Sequence, residues 1–156
     1  MTTIIVPFHE YSNGRVKKLW NITKLAKRRS LSISNQDEVG TNVIALDVVK
    51  RKLLYANTSP GTSSCLIVDL NNLEKCTVKK EYNSINAGDL MKKKLHHFLK
   101  RVFLHLVFKN RSGEISLPMF DAQREQNNNV EHLETIVKKW ESIVTKLLPI
   151  PKRELA

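Results

Sequence analysis

The stretch from Lys92 to Lys109, KKKLHHFLKRVFLHLVFK, constrains the fold more than any other, because it fits two incompatible structures. At helical spacing Leu95, Phe98, Leu99, Val102 and Leu106 share one face. At strand spacing Val102, Leu104, Leu106 and Phe108 point one way, and Phe103, His105 and Val107 the other. The residues that follow decide the matter. KNRSGE (109–114) carries a turn signal at Gly113, and EISLPMF (114–120) alternates at Ile115, Leu117 and Met119. A strand there needs an antiparallel partner, and 101–109 supplies it, entered from a basic loop or short turn over 92–100. Pro118 has no N–H to donate, so the second strand lies at a sheet edge or bends there.

The rest of the chain extends this pattern. LSIS (31–34), TNVIALD (41–47), RKLLYAN (51–57), CLIVDL (65–70) and TVKKEY (77–82) read as short strands. NTSPGTSS (57–64) and NSINAGDLMKKK (83–94) read as polar loops, NNLEKC as one helical turn, and DAQREQNNN (121–129) as a loop. Residues 15–29 predict a basic helix, with Val16, Leu19, Trp20, Ile22 and Ala26 as an apolar stripe and Asn13 as its cap. Leu133, Ile136, Val137, Trp140, Val144 and Leu147 repeat at helical spacing, and Pro149 ends the run. Consecutive strands on short loops favour an antiparallel arrangement. The expected fold is therefore α+β: an antiparallel meander or partly open barrel of about six or seven strands, with an N-terminal basic helix and a C-terminal amphipathic helix packed on the sheet. The expected organisation is an arm and basic helix over 1–30, in which IIVPF is an extended arm, a sheet domain with its closing helix over 31–148, and a tail over 149–156.

Charge is concentrated in two places. Of the net +11, residues 1–30 hold seven Lys/Arg against Glu10 alone, and 92–111 hold seven against no carboxylate. The remainder is near neutral. Such segments create local positive potential suited to phosphate-bearing or acidic partners. The candidate contact residues are Lys17, Lys18, Lys24, Lys27 and Arg28 on the first helix, and Lys92, Lys93, Lys94, Lys100 and Arg101 in the second segment.

Other chemistries leave weaker traces. No GxSxG, HExxH, P-loop, GxGxxG or EF-hand pattern occurs, and Asp47, Asp69, Glu74 and Asp121 are scattered, so no catalytic residue is assigned. His97, Arg101 and His105 would share a strand face, but the two histidines would stand over ~25 Å apart and are surrounded by lysines, so no metal site is assigned. Cys65 and Cys76 fit neither a zinc nor a redox spacing and read as buried thiols acting as small hydrophobes. No cofactor is expected. The start of the chain lacks a basic n-region and a long apolar h-region, and no apolar run approaches the ~18 residues of a membrane span, so a cytoplasmic location, at the inner face of the membrane, is expected.

Antiparallel strands closed by a C-terminal helix resemble the pleckstrin-homology-like superfold, whose closing helix carries a tryptophan packed into the barrel. VKKWESIVTKLL places Trp140 there. The segment VIALDVVKRKLLYA…CLIVDLNNLEKC is similar to small uncharacterised bacterial proteins of the Bacteroidetes type, in which a helix precedes a sheet of this kind. Phosphoinositide-binding members carry a basic motif across their first hairpin. Lys50, Arg51 and Lys52 are basic in a comparable place, with a spacing that differs from the family's. With the excess charge confined to two segments, the expected function is that of a non-enzymatic, pleckstrin-homology-like binding module, with an enzyme of unknown type as the lesser alternative. Its expected partner is an anionic phospholipid surface or an acidic protein, with nucleic acid as the alternative; few aromatics are available as stacking platforms for bases.

Overall fold

The computed structural model describes residues 3–7, 15–40, 42–59, 62–122 and 130–149. The chain divides into two compact units, Met1–Glu74 with Leu147–Ala156, and Lys75–Lys146.

The first unit is built on a five-stranded antiparallel sheet of β1 (Thr3–Pro7), β2 (Asn35–Val39), β3 (Asn42–Asp47), β4 (Lys52–Ser59) and β5 (Thr62–Asp69), in the order β1-β5-β4-β3-β2. Strands β2 to β5 form a meander, and IIVPF, expected as an arm, pairs with β5 through Thr3↔Val68 to Pro7↔Ser64. The register Val43↔Ala56, Ala45↔Leu54, Leu54↔Ile67 and Ala56↔Cys65 puts these side chains on one face. Helix α1 (Arg15–Arg28) buries Ile22, Leu25 and Ala26 on that face. Their i, i+3, i+4 spacing is the condition for a single contact stripe. On the opposite face of the same strands Ile44, Leu46, Leu53 and Val68 are also fully buried. Strands buried on both sides read as unbroken apolar runs, as VIAL and CLIV do.

The loop expected over 57–64 is shorter than read: β4 and β5 pair as far as Ser59↔Thr62. LSIS is not a strand. Leu31 and Ile33 pack, half-buried, against the α1 cluster, and the strand begins at Asn35. Asn13, the expected cap of α1, and the loop residues 123–129 lie outside the described residues.

The second unit holds a three-stranded sheet, β6 (Leu73–Tyr82), β7 (Leu99–Phe108) and β8 (Glu114–Asp121), in that order. The opening ambiguity resolves as strand. Val102, Leu104, Leu106 and Phe108 are buried, and β7 pairs with β8 from Arg101↔Asp121 to Val107↔Glu114. Gly113, at φ 132°, makes the turn between them. Val102 faces Phe120 and Phe103 faces Pro118, so Met119 is the extra residue of a bulge beside the proline, on a strand that is also an edge.

Helix α3 (Val130–Leu147) lies along the free edge of β6. Glu141 Oε2 accepts from Val78 N at 2.5 Å, Thr145 Oγ1 faces the Cys76 carbonyl at 3.5 Å, and Glu134 Oε2 pairs with Lys80 Nζ at 2.7 Å. An edge strand exposes unpaired backbone groups, and here helix side chains take their place. Val137, Trp140 and Val144 are fully buried on the same helix.

The expected single meander or barrel of six or seven strands is corrected to eight described strands in two sheets, neither closed. The break falls at Leu70–Asn72, a 3₁₀ turn in which Asp69 Oδ1 accepts from Asn71 N at 3.0 Å.

Candidate functional site

The two charged segments lie on different units, and each is placed within its own. On α1, Lys24, Lys27 and Arg28 are exposed; Lys17 and Lys18 belong to the same helix, but their side chains lie outside the described residues. In the second unit Lys92, Lys93 and Lys94 are exposed, while Lys100 and Arg101, on β7, are half-buried. Arg101 is not a clean contact residue. Its Nη1 sits 3.3 Å from Glu81 and its Nε 3.9 Å from Asp121, carboxylates on the neighbouring strands β6 and β8.

The segment between β6 and β7 has a feature that composition concealed. After Tyr82 the chain passes through Gly88, at φ 87°, into the single turn α2 (Asp89–Lys92). Asp89 fixes this turn: its Oδ2 accepts from Asn86 N at 2.7 Å, Asp89 N donates to the Asn86 carbonyl at 3.1 Å, and Lys93 N donates to the Asp89 carbonyl at 3.0 Å. A 3₁₀ turn, Leu95–Phe98, then leads into β7. On this scaffold Met91 is 92% exposed, Leu90 56% and Leu95 47%, with Ile85 also exposed. Leu90 and Met91 thus stand exposed directly before three consecutive lysines, with Ile85 and Leu95 partly exposed on either side of them in the sequence. Exposed apolar side chains scattered singly are ordinary, whereas ones gathered into a contiguous patch mark interaction sites. The signal was present in the sequence as Leu90-Met91 set directly before Lys92-Lys93-Lys94, in a stretch too short to bury them on a helix or strand of their own.

His105 is 5% exposed, on the β7 face opposite the core residues. Its Nδ1 lies 2.8 Å from Ser116 Oγ and its Nε2 3.1 Å from Glu114 Oε2. The order Ser–His–Glu has the connectivity of a nucleophilic triad. It also follows from strand register alone, since His105 faces Ser116 and Glu114 lies two residues along the same strand. Both ring nitrogens of a buried histidine need partners, and these two side chains supply them.

Open grooves are formed by described residues in each unit. One of about 430 Å³ lies between β6 and α3, lined by Lys80, Tyr82, Leu95, Glu134 and Lys138. The Glu134 hydrogen bond raises the Lys80 pKa above its ordinary value, against the desolvation that lowers it. The other, of about 500 Å³, runs beside the end of α1 along Lys27, Ser32, Ser34 and Asn35. Neither includes His105, Ser116 or Glu114. Cys65 and Cys76 are buried free thiols; desolvation pushes both up to about 12, with the Glu141 carboxylate adding to the effect at Cys76. Among the described residues no cluster of three or more His, Cys, Asp or Glu is placed to hold a metal ion, and no helix is long and apolar enough to cross a membrane.

Comparison with known proteins returns no matching family model, no matching curated protein and no matching solved structure.

Proposed function

We propose that this chain is a non-enzymatic peripheral binding module whose 85–95 segment contacts an anionic phospholipid surface. One observation carries the reading: the exposed pair Leu90 and Met91 stands beside the exposed Lys92, Lys93 and Lys94 on a hydrogen-bonded turn. Each lysine near an anionic leaflet contributes about 1 kcal/mol. Each large apolar side chain moved from water into acyl chains adds ~1.5–3 kcal/mol. A phosphate backbone rewards only the lysines, so the apolar neighbours favour lipid over nucleic acid. The exposed Lys27 and Arg28 of α1 offer further positive charge to the same class of partner. A pleckstrin-homology-like kinship is the companion reading of the fold. Its support is the order of seven antiparallel strands, β2 to β8, followed by a helix bearing the buried Trp140; β1 and α1 precede that arrangement.

Co-sedimentation with vesicles tests the function. The chain is expected to pellet with phosphatidylglycerol-containing vesicles and to stay in the supernatant with pure phosphatidylcholine. The triple variant Lys92→Glu, Lys93→Glu, Lys94→Glu is expected to stay in the supernatant with both. No pelleting at low salt, or undiminished pelleting of the triple variant, rejects the proposal. A gel shift of DNA or RNA that the triple variant loses, without vesicle binding, assigns the segment to nucleic acid instead.

A further inference from the structure

The first unit carries a second turn of the same chemistry. Between β3 and β4 the sequence reads Val48-Val49-Lys50-Arg51-Lys52, two apolar residues followed by three basic ones, as in Leu90-Met91-Lys92-Lys93-Lys94. Val49 is 86% exposed and Val48 is also exposed. Neither valine is there for the turn itself. Tight turns favour Gly, Asn, Asp and Ser, and β-branched side chains fit them poorly. Arg51 adopts φ 57°, a left-handed conformation in which Gly or Asn is the usual occupant. Turn formation alone thus does not account for the exposed valines, whereas Arg51 is half-buried and its Nε lies out of solvent.

The turn is nevertheless held firmly. Asp47, 1% exposed, accepts from Lys50 N at 2.9 Å through Oδ1 and from Ser32 N at 2.8 Å through Oδ2. Ser34 Oγ accepts from Val48 N at 3.2 Å, the Arg51 carbonyl accepts from Leu70 N at 2.9 Å, and Lys50 Nζ donates to the Ser30 carbonyl. A tip already fixed before contact loses little conformational freedom on contact. Its charge is smaller than that of the other turn, because Lys52 Nζ is paired with Asp69 at 3.1 Å and Asp47 lies beside Lys50.

We infer that the Val48–Arg51 turn is a second membrane anchor, which enters an anionic bilayer through Val49 and acts chiefly by apolar insertion. The inference rests on the lipid reading of the 85–95 segment. Charge complementarity selects the occupant: the exposed Lys50 suits anionic headgroups while the exposed valines suit the acyl region beneath them, and Arg51, half-buried, contributes less.

The test uses the full chain with a single environment-sensitive fluorophore attached at Val49→Cys, and in a second sample at Met91→Cys. The native thiols are buried and leave the new cysteine as the reactive site. With phosphatidylglycerol-containing vesicles both labels are expected to shift to the blue. Val49→Asp, at an exposed position that folding does not need, is expected to weaken vesicle affinity about tenfold, the loss of one apolar side chain. A shift at position 91 with none at 49, and unchanged affinity of Val49→Asp, overturns the second anchor and leaves the first standing. No shift at either position, with no pelleting, overturns the lipid reading itself.

Discussion

Asp47 ties the stability of the first unit to the turn between β3 and β4, because its carboxylate accepts from Lys50 N and from Ser32 N. Burial pushes its pKa up, but hydrogen bonds from the N–H groups of Lys50, Ser32 and Val49, together with the charge of Lys50, outweigh burial and hold it below the ordinary aspartate value. Hydrogen bonds to an ionised acceptor contribute about 1.5–3 kcal/mol each. Ser32 and Lys50 are exposed, so water replaces part of what Asp47→Ala removes, and the lower end applies to each of the two bonds measured at 2.8 and 2.9 Å. Asp47→Ala is therefore expected to cost about 3 kcal/mol at neutral pH. Asp47→Asn keeps one acceptor oxygen but turns an NH₂ toward the other donor, at a cost of about 2 kcal/mol. The sign with pH follows from a depressed carboxylate. Its contribution is complete above the unfolded pKa, about 3.9, and is lost as pH falls from there through the lower folded value. Urea unfolding of wild type and Asp47→Asn across that range is the assay. The gap between them is expected to be full near neutrality and to narrow in acid. A gap that stays constant with pH would falsify the assignment of the effect to the ionised carboxylate.

Two further outcomes concern the second unit and the thiols. Trp140→Ala, at a fully buried site on α3, is expected to lower stability by about 3–5 kcal/mol, read as a fall in the urea midpoint; a change of under about 1 kcal/mol contradicts its place in the core. Cys65 and Cys76, both pushed up to about 12, are expected to resist a thiol reagent at neutral pH in the native chain and to react fully once it is unfolded. Rapid reaction of either thiol in the native chain contradicts the burial found here.

The strands that could be read from the sequence were those whose side chains carry the fold. VIAL and CLIV are apolar because both faces of β3 and β5 are buried, and Ile115, Leu117 and Met119 alternate with Ser116 and Pro118 because β8 turns one face inward and leaves the other exposed. The missed strand β2 has the sequence NQDEV. It pairs only with β3, and of its residues Asn35 and Gln36 are exposed, Asp37 and Glu38 half-buried and Val39 alone buried, so β-propensity has little to act on. The neighbouring LSIS alternates for another reason, since Leu31 and Ile33 fill the margin of the α1 cluster. The split into two sheets was hidden because it depends on a 3₁₀ turn at Leu70–Asn72, where local pattern shows only a short polar break. Arg101 was drawn into the contact set by its place in a basic run. Its carboxylate partners come from β6 and β8, so their approach depends on register across three strands, which no local window contains.

On the proposed lipid reading, charge alone would not make the 85–95 segment an effective membrane contact. Lys92, Lys93 and Lys94 at about 1 kcal/mol each give ~3 kcal/mol, an affinity weaker than millimolar. Burial of Met91 and of the exposed part of Leu90 adds ~3–5 kcal/mol, which carries the sum toward tens of micromolar or below. On the proposed lipid reading, the apolar pair would therefore decide whether binding occurs, and the lysines which surface is bound. The two contributions respond differently to salt. Screening weakens the lysine share over a Debye length of about 8 Å at physiological ionic strength and leaves the apolar share intact. Vesicle binding through this segment should thus fall with salt to a residual level, whereas binding to a phosphate backbone through the same lysines has no apolar remainder to stop at.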